Sequence, residues 1–303
     1  MKKFLIKVAV FFVIVALIDM VAGKLFGTLA MRATNGDSGR SNFITFKTNQ
    51  DVLILGSSRA YHHYNPKIFS DSLGISCYNC GQDGNGSILN YARFQLICQR
   101  YHPKVVIYDV IPDFDYLAVD DNHKYLGWLK PFYDEKGVAD VFEMVDETEK
   151  YKMMSQMYRY NSKFMQIITD NIHAMHDEAL NGFDALEGEM DTIQSRVRPE
   201  PIPIVYDFKK MLLFSRLPYV SKDTKFVYVV SPYWDGRDTA PWAFAKAYCQ
   251  ERGIPFLDYS NDPKYVHHDV YFKDGAHLND RGADEFTRDV ITELIRRGIL
   301  TKP

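Results

Sequence analysis

Leu53-Ile54-Leu55-Gly56-Ser57-Ser58-Arg59 is an apolar run that stops at a glycine and a pair of serines. With Asp51 and Val52 before it, the run reads as a short strand buried on both faces, the kind that fills the middle of a parallel sheet. It delivers a serine hydroxyl to a strand end. A second stretch, Asp274-Gly275-Ala276-His277-Leu278-Asn279, lies more than two hundred residues later, just before a helical pattern. It brings an aspartate and a histidine three residues apart. A serine at a strand end, a histidine to take its proton and an aspartate to hold that histidine are the parts of an activated nucleophile. Each part alone has a plainer reading: Ser58 as a helix cap, His277 as a structural histidine, Asp274 as a turn residue. Their order and spacing together point to a catalytic set.

Outward from the first stretch the pattern alternates. Pro66 to Leu73 reads as a helix capped by Asn65 or its neighbour, and Ile75 to Tyr78 as a strand that runs into the glycine-rich loop Gly81–Gly86. Ser87 to Arg100 has helical period, and Lys104 to Val110 is a third strand of the buried kind. After the middle of the chain the alternation resumes. Lys225 to Val230 is a strand, Pro241 to Arg252 a helix, Ile254 to Asp258 a last strand, and about 281–297 a closing helix capped by Asn279 or Asp280. This predicts an α/β fold: a three-layer α/β/α sandwich on a mostly parallel sheet. From about 135 to 200 the chain is charged, Met-rich and helical in period, and reads as a helical insertion, a lid or a cover for one face; Pro199, Pro201 and Pro203 mark its exit.

The N-terminus is read separately. Met1-Lys2-Lys3 precedes a run from Phe4 to Val21 that only Lys7 and Asp19 interrupt. Basic residues followed by an apolar segment read as a signal peptide or a signal anchor, long enough to span if Lys7 snorkels. No Ala-x-Ala site and no lipobox cysteine follows, so residues 1–22 are expected to be an uncleaved transmembrane anchor, with a cleaved signal or a buried first helix as alternatives. The lysines put the N-terminus in the cytoplasm and the bulk of the chain outside, in a periplasm or at a cell surface. Residues 23–50, with Asn35-Gly36-Asp37-Ser38-Gly39, read as a linker, and 51–303 as the α/β domain.

Hydrophobic residues make up 46 % and charged residues 25 % of the 303, enough for a sizeable core. Tyr and Phe contribute twenty each, which suits a dense core or a surface that stacks on sugars. A net charge of −3 and the lack of a basic stripe argue against nucleic acid as partner. Cys77 and Cys80 have redox or zinc spacing, but no second Cys or His pair accompanies them. The four cysteines read as small buried residues, with a disulfide as the alternative. His62 and His63, and His267, His268 and Asp269, offer metal ligands, though exposed loop histidines are the commoner outcome. No metal and no cofactor is expected.

In these blocks the chain resembles the SGNH or GDSL hydrolases, a group of esterases, deacetylases and acyltransferases, over roughly 50–115 and 225–297. In that family a strand runs into Gly-Asp-Ser; here Gly56-Ser57-Ser58 places Ser58 at the nucleophile and Ser57 at the usual Asp. Asn79 and Gly84 match the second block, whose glycine amide joins that of the nucleophile in an oxyanion hole. Asp274 and His277 match the final Asp-x-x-His. The third block, Gly-x-Asn-Asp in the family, is Val110-Ile111-Pro112-Asp113 here, so its oxyanion Asn is missing; Asn85 and Asn122 are candidates to replace it. The Gly-Ser-Ser start with an anchor looks like the branch of D-alanyl-lipoteichoic-acid biosynthesis protein and polysaccharide O-acetylation factors.

The resemblance implies a serine esterase or O-acyltransferase of cell-envelope glycans, with catalytic Ser58, His277 and Asp274. The oxyanion would be received by the Ser58 and Gly84 amides, and Arg59, Asn85 and Asp113 would touch substrate. Acylated glycan, the membrane and a membrane acyltransferase are the partners it suggests. A non-catalytic module that binds glycan or such an acyltransferase is the alternative.

Overall fold

The computed structural model describes residues 1–172, 181–190 and 203–301. In chain order its elements are α1 (Lys2–Arg32), α2 (Gly36–Phe46), β1 (Val52–Leu55), α3 (Ser58–His63), α4 (Pro66–Leu73), β2 (Cys77–Asn79), α5 (Ser87–Cys98), β3 (Val105–Asp109) and α6 (Pro112–Asp115). There follow α7 (Val138–Val145), α8 (Glu149–Lys152), α9 (Phe164–Ile172), α10 (Phe208–Arg216), β4 (Lys225–Val230), α11 (Ala243–Arg252), β5 (Phe256–Asp258) and α12 (Asp280–Arg296). These fall into two compact units. A helical unit joins Met1–Lys47 to Asn122–His176, and a sheet unit joins Thr48–Asp121 to Asp177–Pro303.

The sheet is parallel throughout, in the order β2-β1-β3-β4-β5. This is the doubly wound order, in which the chain reverses direction across the sheet beside β1 and opens a crevice at the strand ends there. The period of two decides which side chains enter which layer. Val52, Ile54, Val105, Ile107, Val227 and Val229 face a core completed by Ile68 and Phe69 of α4 and Phe286, Val290 and Leu294 of α12. The alternate residues face the other way, where Phe226 meets Phe94 of α5 and Tyr108 meets Phe214 of α10. Every side chain of β1 is fully buried, each contributing about 1.5–3 kcal/mol relative to exposure. Asn65 Oδ1 accepts the Lys67 amide at 3.1 Å ahead of Pro66. Asn279 Oδ1 accepts the Gly282 amide at 2.9 Å, which makes Asn279 the cap of α12.

The helical unit corrects two expectations. Residues 23–50 are not a linker: α1 runs on to Arg32, and Gly36–Phe46 is helical despite its turn-forming residues. Contacts distant in sequence override local preference there. Asp170 Oδ2 accepts the Ser38 amide at 3.0 Å, Asn42 donates to the Ala30 and Ala33 carbonyls, and Ile44 is fully buried. The insertion also starts earlier than expected, at Asn122, and its described helices group with the N-terminal ones. Its described stretch 181–190 holds no helix. Residues 191–202, with Pro199 and Pro201, lie outside the described residues. The N-terminal helix is long and apolar enough to cross a membrane. None of the four cysteines is in a disulfide, and Cys77, Cys80 and Cys249 are buried.

Candidate active site

The nucleophile position is built by a strand that turns sharply into a helix. Gly56 closes β1 at φ 144°, and a Cβ there would stand 2.8 Å from the Asp109 carbonyl oxygen and from Ala60 Cβ. Only glycine fits so close an approach at that dihedral. Ser58 then opens α3. Asn79 ties the neighbouring strand end to this turn: its Nδ2 donates to the carbonyls of Ala60 at 2.7 Å and Tyr64 at 3.0 Å, and its Oδ1 accepts the Gly81 amide at 3.0 Å. Asn79, which matches the second block in sequence, is thus a latch on the helix that carries Ser58.

The structure brings Ser58, His277 and Asp274 together. Ser58 Oγ lies 2.9 Å from His277 Nε2, and His277 Nδ1 lies 3.0 Å from Asp274 Oδ2 and 3.1 Å from Oδ1. A carboxylate only accepts, so Nδ1 carries the proton and the neutral ring presents a bare Nε2 to the serine hydroxyl. Asp274 Oδ1 also accepts the amides of Ala276 and His277, each at 2.8 Å. Burial works against ionisation of Asp274, but the bond and charge of His277 and those two amides outweigh it and hold the carboxyl at about 2.

A second, fully buried layer lies behind this trio. The Leu278 amide, next to the histidine, donates to His63 Nε2 at 3.0 Å, so His63 Nδ1 carries the hydrogen and donates to Ser231 Oγ at 2.9 Å. Burial, with the nearby Arg59, His277 and His62, pushes the His63 pKa well below its ordinary value and keeps the ring neutral. Arg59 donates to Ser231 Oγ through Nε at 3.0 Å and Nη2 at 2.8 Å, to the Ser231 carbonyl, and to the Pro232 carbonyl at 2.9 Å. Its charge faces Asp109 at the end of β3 at 4.0 Å, and Asp109 Oδ2 accepts the Tyr64 hydroxyl at 2.5 Å. Burial lowers the Arg59 pKa to about 10, with Asp109 and Tyr64 opposing, so it stays charged at neutral pH. The layer joins α3, the ends of β3 and β4, and the segment that carries His277.

In front of the trio is a cavity of about 740 Å³. Ser58 and His277 stand in its wall with the aromatic rings of Phe114, Tyr233 and Trp242, the cations of Arg59 and Arg237, and the carboxylates of Asp113, Asp235 and Asp238. Arg59 lies 3.4 Å over the Tyr233 ring and Arg237 4.6 Å from its centroid. Asp113 lines the wall, its pKa raised by burial and countered by Lys210. Arg59 also lines it, but most of its guanidinium is committed to the buried layer. Gly84 and Asn85 are not among the lining residues. Asn85 is a correction: it is buried and its Nδ2 donates to the Asp83 carbonyl at 2.7 Å, closing its own turn. Asn122 belongs to the helical unit, whereas Ser58 belongs to the sheet unit.

Other described histidines have partners of their own. His62 Nδ1 bonds the Asp184 carbonyl at 2.7 Å and its Nε2 lies 3.3 Å from Asp83; its pKa is raised because these outweigh burial. His268 turns to the Val266 carbonyl, and Asp269 accepts the Trp234 indole at 2.6 Å. In the helical unit His123, Asp146 and Glu149 bring ligand atoms within 4.8 Å. Lys152 already stands 2.6 Å from Glu149 and 3.6 Å from Asp146, supplying the positive charge that group needs.

No protein-family model matches the sequence, and none of the curated proteins compared with it does. Three solved structures similar to the chain are these. One, from Streptococcus pneumonia, is designated a platelet activating factor: 10 % identity, 85 % of this chain, 90 % of the other, TM-score 0.39. One, from Desulfitobacterium hafniense, is designated a lipolytic protein of the G-D-S-L family: 11 % identity, 80 % and 98 % covered, TM-score 0.37. The third is BT4096, a gut microbial diltiazem-metabolizing enzyme: 11 % identity, 82 % and 47 % covered, TM-score 0.34.

Sequence reasoning passed over Asp109, Ser231, Tyr233 and Arg237, and took His63 for a metal ligand or an exposed loop histidine, whereas it is fully buried. One signal was there. Val-Val-Ile-Tyr ends in Asp109, and a carboxylate closing a strand buried on both faces needs a buried cation or donor. Arg59, beside the nucleophile, is that cation.

Proposed function

We propose that the protein is a membrane-anchored, outward-facing serine esterase or O-acyltransferase of SGNH type, acting on ester-linked acyl groups of cell-envelope glycans. The observation that carries the reading is the 2.9 Å contact of Ser58 Oγ with His277 Nε2, with Asp274 on the far ring nitrogen. A serine hydroxyl is a weak nucleophile until a base removes its proton. His277 takes that proton as Oγ bonds to the ester carbonyl carbon, and Asp274 stabilises the imidazolium. The carbonyl electrons move to oxygen, which the Ser58 amide at the start of α3 receives. As the tetrahedral centre collapses, the C–O bond to the alcohol breaks and His277 returns its proton to the leaving oxygen. Water or a sugar hydroxyl then attacks the acyl-serine by the same route in reverse. The aromatic and charged cavity wall suits a sugar, whose faces stack on rings and whose hydroxyls bond carboxylates and guanidinium groups.

The test is labelling by a fluorophosphonate probe. The intact protein is expected to label stoichiometrically and Ser58→Ala not at all; a folded wild type that resists the probe overturns the reading. A second reading is favoured by Ile111-Pro112-Asp113, where the family's oxyanion Asn is absent. It makes the domain a non-catalytic module that binds glycan or a membrane acyltransferase through the same cavity. Glycan binding with no labelling is its signature.

A further inference from the structure

The second half of α1 does more than leave the bilayer. Phe4 to Gly23 is twenty residues ending at Lys24, about 30 Å of helix and one hydrocarbon thickness. Asp19 lies five residues before Lys24, about 7 Å deeper along the axis. Its carboxylate is fully used by the turn that follows α8: Oδ1 accepts the Ser155 hydroxyl at 2.6 Å and the Met157 amide at 3.0 Å, and Oδ2 accepts the Gln156 amide at 2.8 Å. Gly23 leaves room for Gln156, and a Cβ at Gly27 would stand 2.8 Å from the Tyr160 hydroxyl. The turn is therefore fixed on the membrane side of Lys24.

Beside that turn, Met154 is 76 % exposed and Tyr151 66 % exposed. The charges nearby have partners within the unit: Glu149 takes Lys152 at 2.6 Å and the Tyr158 hydroxyl at 3.2 Å, and Lys150 stands 4.0 Å from Glu143 and 5.5 Å from the Tyr151 ring centroid. Apolar tips, a tyrosine and internally paired charges are the composition of a surface that sits among lipid headgroups. Resting on the reading of α1 as a membrane span, we propose that the segment 149–157 is a second membrane contact. Met154 and Tyr151 insert into the leaflet through which α1 leaves, and Asp19 sets their depth.

The same helix supplies the internal control. Ile172 is 71 % exposed, but its neighbour Asn171 donates to the Leu29 carbonyl, about 15 Å beyond Asp19. It is expected to stay in water. Full-length protein with Cys98→Ser is reconstituted in phosphatidylcholine vesicles, with an environment-sensitive fluorophore placed through Val13→Cys, Met154→Cys or Ile172→Cys. Spin-labelled lipid should extinguish emission at 13 and 154, while aqueous iodide should extinguish it at 172 only. If 154 behaves like 172 while 13 is lipid-quenched, the inference fails and the anchor stands. If lipid quenching is lost at 13 as well, the anchor reading fails and takes the inference with it.

Discussion

The two units bury polar groups in different ways. In the sheet unit the buried side chains answer one another: Arg59, Ser231, His63, Asp109 and Tyr64 form one connected set. In the helical unit several answer the backbone: Asp170 takes the Ser38 amide and Asn42 donates to the Ala30 and Ala33 carbonyls, while buried Glu149 meets only its near neighbours Lys152 and Tyr158. A side-chain network fixes elements from distant parts of the chain relative to each other, which a proton relay needs to a fraction of an ångström. Backbone caps fix helix ends and ask for no such accuracy. Damage should therefore spread in the first unit and stay local in the second.

The largest effect tests whether the network serves chemistry at all. Ser58→Ala should lower ester hydrolysis by on the order of 10⁶-fold, with the urea midpoint nearly unmoved; a residual rate within tenfold of wild type breaks the comparison. Asp274→Asn should cost about 10⁴-fold in kcat by leaving the wrong histidine tautomer, read by steady-state kinetics. Arg59→Ala strands Asp109 in the core and should cost about 3–5 kcal/mol of stability, read by urea denaturation. Asn42→Ala, its counterpart in the helical unit, should cost only about 1–2 kcal/mol and leave kcat unchanged. If the last two costs prove equal, the distinction between the two kinds of burial fails.

The smallest effect is a pH dependence. Asp274 has its folded pKa depressed to about 2 from an ordinary 3.8. Its ionised form therefore adds stability that is complete above the ordinary value and fades as pH falls through the folded one. The stability difference between wild type and Asp274→Asn should be constant above about pH 5 and shrink between pH 4 and 2. A difference that grows on acidification would reverse the assigned sign.

The sheet unit was legible because its signals are short-range and periodic. Lys225–Val230 was bounded to the residue, and Val52–Leu55 and Asp280–Arg296 to within one. The Asp-x-x-His turn and the serine at a strand end are local motifs, so their positions showed before any fold did. The buried layer behind them did not show, because nothing local distinguishes His63 or Ser231 from an ordinary polar residue. The helical unit was misread for the opposite reason. Gly36-Asp37-Ser38-Gly39 has the composition of a turn, and it is helical because Asp170, more than a hundred residues later, takes the Ser38 amide.

The hydroxyl and the imidazole it needs are separated by 219 residues of chain. A ribosome that stalls, or a transcript cut short, anywhere in that interval yields a polypeptide with an inert Ser58. On the proposed reading, the half-made chain is harmless to any ester it meets, and reactivity arrives in one step when residue 277 folds back to the first strand.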